Sequence, residues 1–290
     1  LEQTAARQTK LLSLLRREFG LSAGLVKRLK WQNALFVNGA PAHTDCPVQP
    51  GDRVRVVLEE QTEGFDPEPM PLSILYEDPY FLAVDKPAGM LVHPSPQKNS
   101  GTLANGVLYH LHQSAAGAGV HPVTRLDRDT FGVVLLAKNA NVHDRFCRLL
   151  REKQLEKTYL ASVFGHPPQD AGEIDLPVYK VGGGSLIRGV DTRGQQALTR
   201  YRVLETAGQT ALLELHPMTG RTHQLRLHCM ASGFPILGAP QYTGPEAKAY
   251  SDAHGLQFQQ LCAARLVFPH PMTGERIEIC SKQTVFFPKD

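Results

Sequence analysis

Long apolar runs are missing from this chain. No stretch of about 18 consecutive apolar residues occurs, so no membrane-spanning helix is expected. The opening residues LEQTAARQTK are polar and charged where a secretory leader would place its apolar segment, and a soluble, cytoplasmic protein is the expectation. Cysteine is scarce. Cys46, Cys147, Cys229, Cys262 and Cys280 are odd in number, far apart and never at metal-pair spacing, which argues against a disulfide framework and reads as reduced structural thiols. There is no glycine-rich dinucleotide fingerprint, no phosphate-binding loop and no metal cluster, so no cofactor and no metal are expected. Net charge is only +3 over 290 residues, too little to mark a nucleic-acid binder by itself.

What is present begins with a 42% hydrophobic content, enough to bury a full core. Positive charge is concentrated near the N-terminus, where Arg16, Arg17, Lys27, Arg28 and Lys30 fall on two helical patterns, TKLLSLLRREF (9 to 19) and AGLVKRLKW (23 to 31). Ser22 is placed to cap the second helix. Short strand-like runs follow, ALFVNG and VRVVLE, separated by a turn-rich stretch ending in Pro50, Gly51 and Asp52. Residues 1–59 therefore read as a small α/β unit. The acidic, proline-rich EQTEGFDPEPMP at 60–71 reads as a linker, and residues 72–290 as a larger domain.

In that larger domain strands dominate: 80 to 86, 133 to 138, 157 to 165, 197 to 205, 210 to 216 and 275 to 280. Helical patterns at about 102 to 113, 140 to 153 and 221 to 232 are too few and too irregular for repeating βαβ units. An α+β fold with a largely antiparallel sheet flanked by helices and loops is predicted. HPMTG occurs at 216 to 220 and again at 270 to 274, but the flanking residues differ, so two independent turns explain it.

Four segments carry candidate chemistry. HPVTRLDRDTFG (121 to 132) packs two arginines and two aspartates into a loop before the strand VVLLAK. Asp127 and Asp129 are two apart and share a face in extended backbone, with Arg128 opposite, so one acid can face a pocket while the other pairs or caps. An aspartate-rich turn that only accepts backbone hydrogen bonds is the competing reading. TGRTHQLRLH (219 to 228) brings Arg221, His223, Arg226 and His228 together: either a solvated basic helix or an arginine set against a carboxylate or phosphate. His223 and His228 are five apart, which is not a helical zinc spacing. VDKPAGMLVHP (84 to 94) turns out of a strand at Lys86-Pro87. EKTYLASV places Tyr159 in a strand with Lys157 on the same face, where core packing competes with a functional role.

Taken in order, VDKPAGMLVHP, TRLDRDTFGVVLLAK, KTYLASVFG, GRTHQLRLHCMASGFPILG and LCAARLVFPHPMTGE resemble the successive motifs of the RluA-type pseudouridine synthases, over roughly residues 72 to 280. Residues 9 to 58, with LVKRLKWQNALFVNG and VQPGDRVRV, resemble the S4-type RNA-binding domain that many such synthases carry. The resemblance implies a pseudouridine synthase fold and an isomerase that turns uridine into pseudouridine in structured RNA. Large-subunit ribosomal RNA is the favoured substrate and transfer RNA the next. It implies Asp127 as the catalytic aspartate, Tyr159 as the tyrosine stacking on the target base and Arg221 as the arginine paired with the carboxylate. Arg125 would hold the flipped nucleotide, with Lys86, Lys157, Thr222 and His223 as further substrate contacts and Lys27, Arg28 and Lys30 as RNA contacts of the N-terminal unit.

The chain departs from the family pattern at Thr124, Phe131 and Ala239. Those departures motivate an alternative, a non-catalytic RNA-binding or ribosome-assembly factor of the same fold. A metal-dependent phosphoesterase is a third reading, without ligand spacing to support it. A monomer, with RNA as partner and no membrane association, is expected.

Overall fold

Alternation along the first 57 residues sets up a small core. We analysed a computed structural model, which describes the chain except for residues 58–63, 96–97, 115–118, 183–186 and 289–290. In chain order the N-terminal unit holds β1 (Glu2–Thr4), β2 (Thr9–Lys10), α1 (Leu11–Arg17), α2 (Ala23–Trp31), β3 (Leu35–Val37), β4 (Ala40–Pro41), β5 (Pro47–Val48) and β6 (Arg53–Val56). β6 reads RVRV, with both valines buried and both arginines exposed, as period two requires. Its valines meet Leu11, Leu14, Leu15, Leu25, Val26 and Leu29 from the two helices. Ser22 caps α2 by accepting the Leu25 N–H at 3.1 Å.

The larger unit runs β7 (Ile74–Glu77), β8 (Phe81–Lys86), α3 (Leu103–Ser114), β9 (His121–Pro122), β10 (Phe131–Ala137), α4 (Ala140–Arg151), β11 (Glu156–Phe164), β12 (Ala171–Asp175), β13 (Val178–Lys180), β14 (Arg188–Val190), β15 (Leu198–Ala207), β16 (Thr210–Pro217), α5 (Gln224–Ala231), α6 (Pro245–Ala253), β17 (Leu261–Pro269) and β18 (Arg276–Cys280). The main sheet is ordered β12-β15-β16-β11-β17-β10-β8-β7, with β18 beside β17 and β9 beside β10. β10 and β17 pair parallel; the sheet's other ladders are antiparallel. This is the mixed, mostly antiparallel α+β fold expected. Among the described residues no helix is long and apolar enough to cross a membrane.

β8 and β10 are buried on both faces, which the period-two rule turns into two separate cores. Leu82, Val84, Val134 and Leu136 pack against α3, while Phe81, Ala83, Val133 and Leu135 pack against Val142 and Phe146 of α4. The predicted strands form within the described residues; that read over VRVVLE appears as β6, and its last two residues, 58 and 59, lie outside them. β17 and α6 did not stand out in the sequence, and the helix expected over 221 to 232 begins only at Gln224. His223 at φ +57 breaks the regular backbone just before it, and a turn over Arg221 to Gln224 is closed by the Gln224 N–H donating to the Arg221 carbonyl at 3.1 Å.

The expected linker at 60–71 falls partly outside the described residues. Its remainder, 64 to 71, has no regular secondary structure yet is fastened to the start of α3. The Gly101 N–H donates to Glu68 at 2.8 Å, Asn105 Nδ2 donates to the Asp66 carbonyl at 2.8 Å, and Met70 packs over Gly106. The N-terminal unit docks on α4. The Ser22 hydroxyl donates to Asp144, Arg145 Nη2 donates to the Phe19 carbonyl at 3.1 Å, and Ala140 joins the N-terminal core.

Candidate active site

The register of three strands brings the charged loop to Tyr159. Ala263 of β17 pairs with Gly132 on one side and with Tyr159 on the other. Gly132 closes the loop that starts at His121, so Asp127 and Tyr159 approach one another across β17. A side chain at 132 is excluded: φ is +107, and a Cβ would lie 2.4 Å from the Ala263 carbonyl oxygen. The β11–β17 ladder shifts register between Thr158 and Tyr159, a bulge that re-aims the tyrosine just where it meets Ala263.

The loop around Asp127 is pinned from inside. Leu126 is buried in the α3 core, Thr124 Oγ1 accepts the Leu135 N–H at 2.9 Å, and Thr130 N donates to the Asp127 carbonyl at 3.2 Å. Asp129 is buried and takes a two-pronged bond from Arg128, at 2.8 and 2.9 Å. Lys86 is fully buried, and its ammonium donates to the carbonyls of Pro87, Met90 and Arg128 at 2.8 to 2.9 Å. Burial pushes its pKa down to about 8 against the pull of Asp129 and Asp127, leaving it mostly protonated at neutral pH with all three hydrogens placed. The expectation that Lys86 touches substrate is therefore corrected: it is sealed in the protein and shapes the loop from behind.

Asp127 is the acid left facing outward, with 28% of its side chain exposed. Arg226 Nη1 donates to its Oδ2 at 2.9 Å from a side chain only 6% exposed. His223 Nε2 stands 4.0 Å from Oδ1. Arg221, expected to make this ion pair, does not. It is exposed in the turn before α5, and its Nε donates to the Gln196 carbonyl at 3.1 Å. The physical reason is helical geometry. Residues 224 to 229 of α5 are all buried, so the helix is enclosed and carries Arg226 within the protein, whereas Arg221 precedes the helix.

Two further groups complete the surroundings of the carboxylate. The Arg226 guanidinium lies 5.0 Å from the ring centre of Tyr242, a cation–π contact. The Arg188 N–H donates to the Tyr242 hydroxyl at 2.7 Å, so the phenol proton is free for His223 Nδ1 at 2.9 Å. His223 then carries its own hydrogen on Nε2, toward Asp127. Burial lowers the His223 pKa, Asp127 opposes that shift, and Arg226 and Arg188 add to it. Tyr242 was missed in the sequence, because it lies in the irregular stretch after Gly238 with no periodicity to mark it.

Tyr159 is half-buried, and its phenol pKa is raised by burial and then by the negative charge of Asp127. Lys157 is half-buried against Gly220, and burial lowers its pKa. Arg125 and Thr222 are exposed at the rim. The family departures are buried and turned into the protein. Phe131 packs with Cys262 and Val285, Thr124 bonds the backbone of β10, and Ala239 is 7% exposed.

A family model described as RNA pseudouridylate synthase matches residues 80–231, which span the Lys86, Asp127, Tyr159 and Arg226 segments. The chain belongs to the RNA pseudouridine synthase family. It is 37% identical over 282 residues to "Uncharacterized RNA pseudouridine synthase YlyB" of Bacillus subtilis, covering 96% of this chain and 90% of that protein. It is 34% identical over 248 residues to "Ribosomal large subunit pseudouridine synthase D" of Nitrosomonas europaea, covering 84% of this chain and 72% of that one. Among solved structures it resembles "Human RNA Pseudouridylate Synthase Domain Containing 1", with a TM-score of 0.60 and 26% identity over 74% of this chain and 86% of that chain. Pseudouridine synthases of this RluA type are isomerases acting on RNA, which agrees with the principal sequence reading.

Proposed function

We propose that this pseudouridine synthase modifies large-subunit ribosomal RNA in the cytoplasm as a monomer, with Asp127 as its catalytic carboxylate. The carrying observation is the geometry at that residue. Arg226 occupies Oδ2, while Oδ1 has His223 Nε2 at 4.0 Å and, among the described residues, no donor within bonding distance. The isomerisation breaks the bond from ribose C1′ to uracil N1 and joins C1′ to C5. The C5 proton is lost and N1 gains one, so atoms balance without an added reagent. Such a step needs an ionised carboxylate held close to sugar and base and shielded from bulk water. Arg226 fixes the direction of Asp127 through its bond to Oδ2, and Tyr242 contacts both Arg226 and His223.

The uridine must leave its stack to reach Oδ1, at a cost of a few kcal/mol. Stacking on Tyr159 offsets about 1–3 kcal/mol of this. Arg125 projects from the rim two residues before Asp127, where a guanidinium can hold the everted nucleotide's phosphate. Lys157, Thr222 and His223 line the remaining approach. Lys27, Arg28 and Lys30 are exposed on α2 and supply phosphate contacts from the N-terminal unit. A ribosomal substrate is supported by the names of relatives such as that of Nitrosomonas europaea. Five free cysteines, one of them exposed, suit a reducing cytoplasm.

Asp127→Asn tests the assignment. It keeps the side-chain shape and a partner for Arg226 but removes the charge, so pseudouridine formation should vanish while RNA affinity stays within a few-fold. Activity equal to the native protein would refute the role of Asp127. Mapping pseudouridine in total RNA with and without the gene tests the substrate: lost sites in large-subunit ribosomal RNA support it, and losses confined to transfer RNA overturn it.

A further inference from the structure

Trp31 is the single tryptophan of the chain and is 79% exposed at the end of α2. Its neighbours one helical turn earlier are Lys27 and Arg28, so the indole shares a face with two exposed cations. Beside that face a groove of about 360 Å³ runs between α1 and α2. Leu12 and Val26 give it apolar lining, while Arg16, Lys27 and Lys30 supply cations. Acidic residues neutralise other cations of this unit: Glu18 pairs with Arg7 and Glu2 with Arg53. Among the described residues no carboxylate pairs with Lys27, Arg28 or Lys30. Cations in the last turn favour the helix dipole, which explains Arg28 and Lys30 but neither the bare indole nor the groove.

We propose that Trp31 is a base-stacking platform and that α1 and α2 together bind an unpaired RNA segment rather than a duplex. An aromatic face flanked by unpaired cations is the arrangement that takes a base on the ring and phosphates on either side. A paired duplex hides its base faces and offers the indole nothing to stack on. Protein partners fit less well, since the patch around the indole and groove is rich in charge that a protein interface core excludes. The inference rests on the reading that the N-terminal unit contacts RNA.

The solitary tryptophan makes the test direct. The full-length protein is titrated with a uridine-free single strand of adenosine and cytidine, and with a blunt guanosine–cytidine duplex of the same length, while tryptophan emission is followed. Absence of uridine keeps the probe from acting as a substrate at Asp127. The single strand should quench the emission saturably and the duplex should not. Trp31→Ala should weaken single-strand binding by about 5- to 150-fold, and Trp31→Phe should restore most of it. The salt dependence of Trp31→Ala should match the native slope, whereas Lys27→Ala and Lys30→Ala should each flatten it by roughly 0.7.

Equal quenching by duplex and single strand overturns the proposal. So does unchanged affinity in Trp31→Ala while the lysine variants lose binding; in that case phosphate contact by the unit survives and stacking does not. If replacing Lys27, Arg28 and Lys30 together leaves affinity and slope unaltered, the underlying reading of an RNA-binding unit is what fails.

Discussion

Replacing Arg226 by glutamine separates two arginines, five positions apart, that both qualify in the sequence as partners of Asp127. Arg226 Nη1 lies 2.9 Å from Asp127 Oδ2, with side-chain exposures of 6% and 28%. A unit-charge pair at about 4 Å is worth about 4 kcal/mol at an effective dielectric of about 20. Water reaching the open side of Asp127 recovers part of that, and a glutamine amide still donates one hydrogen bond. The net loss is about 2–3 kcal/mol of carboxylate stabilisation. Where the ionised, aimed carboxylate is required in the transition state, kcat/KM falls by about 30- to 150-fold. The assay is tritium release from RNA labelled at uracil C5, because isomerisation replaces the C5–H bond by one to C1′. Arg221→Ala serves as the internal control: an exposed side chain whose Nε bonds a backbone carbonyl should change the rate by no more than about twofold. RNA affinity measured in parallel keeps a binding defect apart from a chemical one. The reasoning is refuted if Arg221→Ala loses as much as Arg226→Gln, or if Arg226→Gln turns over at the native rate.

Two other outcomes test the groups behind the carboxylate. Tyr242→Phe keeps the ring under Arg226 but removes the hydroxyl that donates to His223 Nδ1. His223 is faced by Asp127, Arg226, Arg188 and Tyr242, and its neutral form is the favoured one. Without the donor its pKa rises, so imidazolium forms beside Asp127 at higher pH, and the acid limb of the kcat profile should move upward; the Arg188 N–H also loses its acceptor, so a modest fall in melting temperature accompanies the shift. A limb that stays in place would show that the hydroxyl serves packing alone. Lys86→Met strips donors from three carbonyls at once and should cost roughly 2–4 kcal/mol, read as a lower urea midpoint at constant slope. Full stability with lost RNA binding would return Lys86 to the substrate surface.

How much of this was legible in the sequence depended on whether a signal was local. β8, β10, β11, β15 and β16 announced themselves by composition, because the requirement that a strand bury apolar side chains is satisfied residue by residue. β17 was harder. Its LCAARLVFP mixes small residues with an internal arginine, and it is a strand because β10, β11 and β18 all pair with it, a fact of tertiary order. The site divides the same way. Asp127 was conspicuous because charge crowded before a buried strand is costly unless it pairs or reacts. The choice between Arg221 and Arg226 was not conspicuous, since it turns on where α5 begins. His223 in the left-handed region delays the helix to Gln224, and that displacement leaves Arg221 in the turn and puts Arg226 inside, facing the carboxylate.

The charges in residues 121 to 132 and the buried lysine behind them divide into three different jobs, each fixed by burial. Asp129 and Arg128 neutralise each other, so that buried carboxylate costs little. Lys86, invisible from outside, donates its three hydrogens to the carbonyls of Pro87, Met90 and Arg128, tying its own turn to the charged loop. Among the described residues Asp127 keeps one oxygen without a hydrogen-bond donor within bonding distance, since Arg226 takes Oδ2 and His223 stands off Oδ1 at 4.0 Å. A carboxylate so nearly satisfied is rigid, and one so nearly but not wholly satisfied can still react. Gly132 enforces the arrangement from the backbone: with no Cβ between β10 and β17 the two strands pair closely, and any larger residue would meet the Ala263 carbonyl and displace the loop that carries Asp127.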